Sequence, residues 1–168
     1  MRTSFILPIS ILALCCVAAA AQTRTFTDAD EGYTLELPSP SWGVVQRHVG
    51  THRHTGFVYQ GGCDCRLRIR REVVDGRVTP AALADEEKQG LRLLPGYVEN
   101  RREPFAGRMG GTRLTYEYNK DGRLMAAKIY YLQADKHTIY VLRFTGARER
   151  LAGLRGETDS IARSFRLK

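Results

Sequence analysis

The amino-acid sequence predicts an α+β fold in which an antiparallel sheet of about seven or eight strands is covered on both faces. The first observation is the run that begins at Leu124. Met125, Ala127, Ile129 and Tyr131 alternate there with Leu124, Ala126, Tyr130 and Leu132, so both faces are apolar except at Lys128. The second is the repeat of this pattern through Ile139, Tyr140, Val141, Leu142 and Phe144, after a polar segment of hairpin length at Gln133 to His137. Two such strands belong in the middle of a sheet. The third is a pair of helical signals, at Thr79 to Leu94 and at Leu151 to Phe165, that supply the cover.

The first 21 residues read as a secretory signal: Arg2, an apolar run from Phe5 to Val17, and small-residue cleavage sites at Ala18 to Ala21. Cleavage leaves 147 of the 168 residues, the length of one domain, and the mature chain 22–168 is expected to be that single domain. The apolar run is too short to span a membrane, so the expected location is secreted or periplasmic. Lipid attachment at Cys15 is the competing reading, because Leu12-Ala13-Leu14-Cys15 has the spacing of such a box. Leu14 stands where a small residue is expected, which favours ordinary cleavage.

Tyr33, Leu35 and Leu37 alternate with Thr34 and Glu36 and read as the first strand, preceded by a solvated turn at Asp28 to Gly32. Trp42 to Val49 reads as the second strand with Trp42 as a core anchor, and Gly56 to Gln60 as the third, closed by Gly61-Gly62. From Cys63 a fourth strand places Cys63, Cys65, Leu67 and Ile69 on one side and Arg66, Arg68 and Arg70 on the other. Thr79-Pro80 supplies an N-cap and first-turn proline for the helix, and Pro95-Gly96 stops it. Tyr97 to Phe105 and Thr112 to Tyr118 read as strands separated by a flexible turn at Gly107, Gly110 and Gly111. Asn119-Lys120-Asp121-Gly122 closes the next hairpin. Leu151, Leu154, Ile161 and Phe165 mark one terminal amphipathic helix.

The formal charge is +8, falling to +7 once Arg2 is removed, and only five of the 26 basic residues are lysine. Such a field suits anionic lipid, a polyanionic envelope polymer or nucleic acid, and it equally fits an arginine-rich genome; the expected partner is a protein or an anionic envelope component. Specific nucleic-acid recognition needs basic residues interleaved with stacking aromatics or set on a groove-reading element, and neither pattern is present. The most localised charge is the stripe Arg66, Arg68 and Arg70, read either as a binding face or as a solvated one.

Chemistry-bearing residues cluster once. His48, His52 and His54 lie within seven residues, and Cys63-Asp64-Cys65 follows one strand later. Pairing of the two segments could bring imidazoles and thiolates together, a set that suits zinc or copper, with His52, His54, Cys63 and Cys65 as the ligands. In an exported protein a Cys63–Cys65 disulfide competes with that reading, as does thiol redox chemistry. No Gly-x-Ser-x-Gly or His-Glu-x-x-His motif occurs, and the mature chain has only four serines, two of them in the turn at Pro38 to Ser41. No catalytic residue and no cofactor is assigned.

A set of residues then ties the chain to a known architecture: Phe26, Gly32-Tyr33-Thr34-Leu35-Glu36-Leu37-Pro38 with Trp42, the Pro95-Gly96 helix end, Leu114-Thr115-Tyr116, Tyr130-Tyr131, Tyr140-Val141-Leu142 and Ser164-Phe165. They span nearly the whole mature chain. In these residues the sequence resembles the PsbP-like superfamily. The resemblance implies an antiparallel sheet sandwiched between helices, shared by photosystem II extrinsic subunits, Ran-binding Mog-type proteins and exported bacterial proteins. Nothing matches a plastid transit peptide. By analogy the resemblance implies a non-enzymatic binding or assembly role toward a protein or envelope partner. A metal-binding or redox protein is the alternative.

Overall fold

The computed structural model describes residues 23–49 and 52–168, without the side chains of 47–49 and 52–54. The expected signal segment at 1–21 and Cys15 lie outside the described residues. The chain runs β1 (Arg24–Asp28), β2 (Tyr33–Leu37), β3 (Trp42–Val49), β4 (His52–Tyr59), β5 (Arg66–Val73), α1 (Pro80–Leu91), β6 (Val98–Phe105), β7 (Gly111–Lys120), β8 (Arg123–Asp135), β9 (Thr138–Ala147), α2 (Arg148–Gly153), α3 (Arg155–Ser164) and β10 (Arg166–Leu167). Seven strands form the main antiparallel sheet in the order β3-β4-β5-β9-β8-β7-β6. The central pair is β8 and β9, as their two apolar faces require.

Alternation along these strands divides the core in two. On one face Ala127, Ile129, Tyr131, Ile139 and Val141 pack with Ala84 and Leu91 of α1. On the other, Tyr130, Leu132, Leu142 and Phe144 pack with Leu151, Ile161 and Phe165. Trp42 is fully buried in this second core, and its indole N–H donates to Glu157 Oε2 at 2.8 Å.

The second face departs from expectation. Tyr33 to Leu37 is not a strand of the main sheet but the middle of a separate three-stranded sheet, β1-β2-β10. Tyr33, Leu35 and Leu37 are buried in the second core, so this small sheet shares the covering role with α2 and α3. The preceding turn is not simply solvated. Asp28 is 1% exposed; its carboxylate accepts from the Asp30 and Glu31 amides, each at 3.2 Å, and from the Thr55 hydroxyl at 2.6 Å.

Local signals set most element ends. Thr79 Oγ1 accepts from Ala82 N at 3.2 Å, capping α1 ahead of Pro80. The helix stops at Leu91, and the next residues form turns in which Leu93 N donates to Gly90 O and Leu94 N to Leu91 O. Asp121 and Gly122 both adopt positive φ, at 51° and 73°, in the two-residue hairpin between β7 and β8. The expected single terminal helix is two, because Leu154 at φ −92° and ψ 13° breaks it while remaining buried.

Gly111 is not a flexible turn residue. It opens β7, and a Cβ there would lie 1.9 Å from the Tyr131 carbonyl oxygen. Backbone at a sheet centre cannot yield that much, so Gly111→Ala is expected to cost about 1–3 kcal/mol. Chemical denaturation checks it; a midpoint equal to that of the wild type would refute the close-approach account.

Candidate functional site

The arginine stripe is exposed and extended by a residue distant in sequence. Leu67 and Ile69 point into the second core, so Arg66, Arg68 and Arg70 emerge on the face that carries α1. That helix packs on β7 and β8, leaving β5 beyond its cover. The register sets Arg68 opposite Arg143 of β9, so a fourth guanidinium joins the same face. Glu87 of α1 pairs with Arg143, lies 3.7 Å from Arg70 and accepts from the Tyr131 hydroxyl at 2.5 Å. Glu72 pairs with Arg70. Burial, then repulsion from Arg70 and Arg68, pulls the Arg143 guanidinium below its usual range. Four arginines face two carboxylates, and Arg66 and Arg68 are exposed.

The histidine and cysteine positions are separated along the hairpin. Tyr59 N donates to Cys65 O at 2.9 Å, which places the cysteines at the Tyr59 end of β4. His52 and His54 lie in the half of β4 paired with Arg47 to Val49. At about 3.3 Å per residue, roughly 17 Å of strand separates His54 from Tyr59. The backbone therefore does not bring these histidines to the cysteines; the side chains of His48, His52 and His54 lie outside the described residues. Among the described residues no group of three or more His, Cys, Asp or Glu side chains is placed to hold a metal ion. Cys63 and Cys65 sit in the β4–β5 turn with Cα atoms 5.2 Å apart, and Cys65 is fully buried.

A polar network in the second core was not apparent in the sequence. Lys128, the one charge in the central run, is 8% exposed. Its ammonium donates to Asp159 Oδ1 at 3.0 Å, to Thr158 Oγ1 at 3.1 Å and to the Arg155 carbonyl at 3.5 Å. Asp159 also accepts from Arg113 at 2.9 Å and from the Tyr130 hydroxyl, while Arg113 forks onto Glu103. Burial pulls the Lys128 ammonium below its usual range, and Asp159 offsets part of that. Burial also raises the Asp159 carboxyl, but donors from Tyr130 and Lys128 and the charges of Lys128 and Arg113 outweigh it and leave the carboxyl below the ordinary aspartate value. One carboxylate thus anchors α3 to β7 and β8.

No protein-family model and no curated protein matches the sequence. Solved structures match in fold. Cyanobacterial PsbP (CyanoP) from Synechocystis sp. PCC 6803 aligns at TM-score 0.62 and 15% identity, over 94% of this chain and 99% of its own. LpqN, involved in cell envelope biogenesis of Mycobacterium tuberculosis, aligns at TM-score 0.58 and 18% identity, over 88% and 91%. The Saccharomyces cerevisiae Ran-binding protein Mog1p aligns at TM-score 0.60 and 10% identity, over 88% and 96%. The fold is PsbP/Mog1-like, and identities this low define the fold alone. Among the described residues no helix is long and apolar enough to cross a membrane.

Proposed function

We propose that the chain is an exported, non-enzymatic binding or assembly module that engages an acidic protein or anionic envelope component through the arginine face of β5 and β9. The observation that carries the reading is the placement of Arg66, Arg68 and Arg70 on the part of the sheet that α1 leaves open, with the half-buried Arg143 beside them at the edge of α1 and, among the described residues, Glu72 and Glu87 as the paired carboxylates. Such a surplus attracts anions through its field. The envelope role of LpqN and the Ran binding of Mog1p are consistent with a binding role on this fold. A Cys63–Cys65 disulfide fits both export and the 5.2 Å Cα separation. Intact mass before and after reduction and alkylation tests it.

The arginine face is tested with Arg66→Gln, Arg68→Gln and Arg70→Gln combined. Their side chains oppose the buried Leu67, so the variant is expected to melt like the wild type. Binding to phosphatidylglycerol vesicles, measured by cosedimentation, is expected to fall about tenfold at low salt. Wild-type binding is expected to weaken as ionic strength rises, since screening acts over about 8–10 Å near physiological salt. Equal binding by both proteins at every salt concentration, with vesicles and with acidic envelope proteins alike, would overturn the proposal.

A further inference from the structure

A second basic site lies on the opposite face of the main sheet, where α2 and α3 begin above β6, β7 and β8. It is a cleft of about 470 Å³, within the range of roughly 300–1,000 Å³ that small-ligand sites occupy. Five cations from five elements line it: Arg101, Arg113, Lys128, Arg148 and Arg155. Three carboxylates pair with them. Glu103 meets Arg101 at 2.8 Å and also Arg113; Asp159 meets Arg113 and Lys128; Glu117 lies 3.7 Å from Arg148. Two positive charges remain, and Arg155 has no ion-pair partner among the described residues. Ala126, Leu151 and Ala152 add an apolar wall.

We propose that this cleft binds a phosphate monoester. Lys128 and Arg113, balanced by Asp159 and Glu103, form a rigid floor without net charge, and Arg101, Arg148 and Arg155 form a rim on three separate elements that carries the surplus. A phosphate monoester concentrates about two negative charges on one tetrahedral group with three acceptor oxygens. That matches the surplus of two charges and the three rim guanidiniums, whose forked donors suit phosphate oxygens. The alcohol portion of the ester lies against the apolar wall. Such an ester is either a soluble metabolite or the headgroup of phosphatidic acid, and the two share the recognised chemistry.

The probes are glycerol 3-phosphate, by titration calorimetry at low salt, and phosphatidic acid in phosphatidylcholine vesicles, by cosedimentation. Binding of glycerol 3-phosphate marks a soluble ester as the occupant, and binding only to the phosphatidic acid vesicles marks the headgroup; each supports the proposal when it depends on the rim. The variant is Arg101→Gln with Arg155→Gln, which leaves the contacts among Lys128, Asp159, Arg113 and Glu103 in place. It is expected to lose about tenfold or more in affinity with an unchanged melting temperature. The Arg66, Arg68 and Arg70 variant is expected to bind glycerol 3-phosphate as the wild type does, which separates this site from the arginine face. Absence of binding to either probe, or equal binding by the wild type and the rim variant, would overturn the proposal.

Discussion

Asp159→Ala is expected to cost about 3 kcal/mol or more, out of a total stability of about 5–15 kcal/mol for a domain of this kind. The carboxylate accepts from Lys128, Arg113 and Tyr130 together. Its removal leaves Arg113 still paired with Glu103, but strands the Lys128 ammonium in the core with only the Thr158 hydroxyl and the Arg155 carbonyl. An ammonium without its counter-charge in that setting is the costly outcome, more so than the loss of the ion pair as such. The expected fall in melting temperature is roughly 10 °C. Replacing both members, Lys128→Met with Asp159→Leu, is expected to restore most of the loss, because no charge is then stranded. A single variant melting within about 2 °C of the wild type would refute the account.

The same carboxylate sets an acid limb. Asp159 has a folded pKa below its unfolded value, so its contribution is fully present above the ordinary aspartate value of about 3.9 and is lost as pH falls through the folded value. Glu103, held below the usual glutamate range chiefly by its hydrogen bond from Arg113, acts in the same direction. Stability measured by denaturant at a series of pH values is expected to drop below about pH 4. In Asp159→Asn that drop is expected to be shallower.

The parts of the fold legible in the sequence are those where one strand alone carries the signal. The runs around Ile129 and Val141 are apolar on both faces, and only a central sheet position accommodates that. The arginine stripe was legible for the same reason, since alternation within β5 separates it from Leu67 and Ile69. Its fourth member was not: Arg143 joins through the β5–β9 register, a pairing that neither strand specifies by itself. The strand β1 was missed because Phe26 is its only large apolar residue, and its pairing with β2 supplies what its own pattern lacks. The Lys128 network was hidden for a related reason. Glu103, Arg113, Lys128 and Asp159 come from four elements, and Glu103, Arg113 and Asp159 each resemble an ordinary surface charge. The sole signal was Lys128 itself, a charge inside a run whose neighbours are all apolar.

Leu142→Asp is expected to abolish folding. Leu142 is fully buried in β9, paired with Ile69 on one side and Tyr130 on the other. Losing the leucine side chain costs about 2–5 kcal/mol through lost transfer energy and the space left behind. Burying a carboxyl there without a partner adds several kcal/mol more, whether it remains charged or takes up a proton. The sum approaches or exceeds a stability of about 5–15 kcal/mol. Ala127→Asp is expected to act the same way from the α1 side, where Ala127 is 2% exposed. Leu142→Ala separates packing from charge: it is expected to lose about 3 kcal/mol and still unfold cooperatively. Far-UV circular dichroism and thermal melts of all three variants provide the measurement. A soluble Leu142→Asp protein with a cooperative melt near that of Leu142→Ala would mean that this position reaches water, and the assignment of β9 to the centre of the sheet would have to be abandoned.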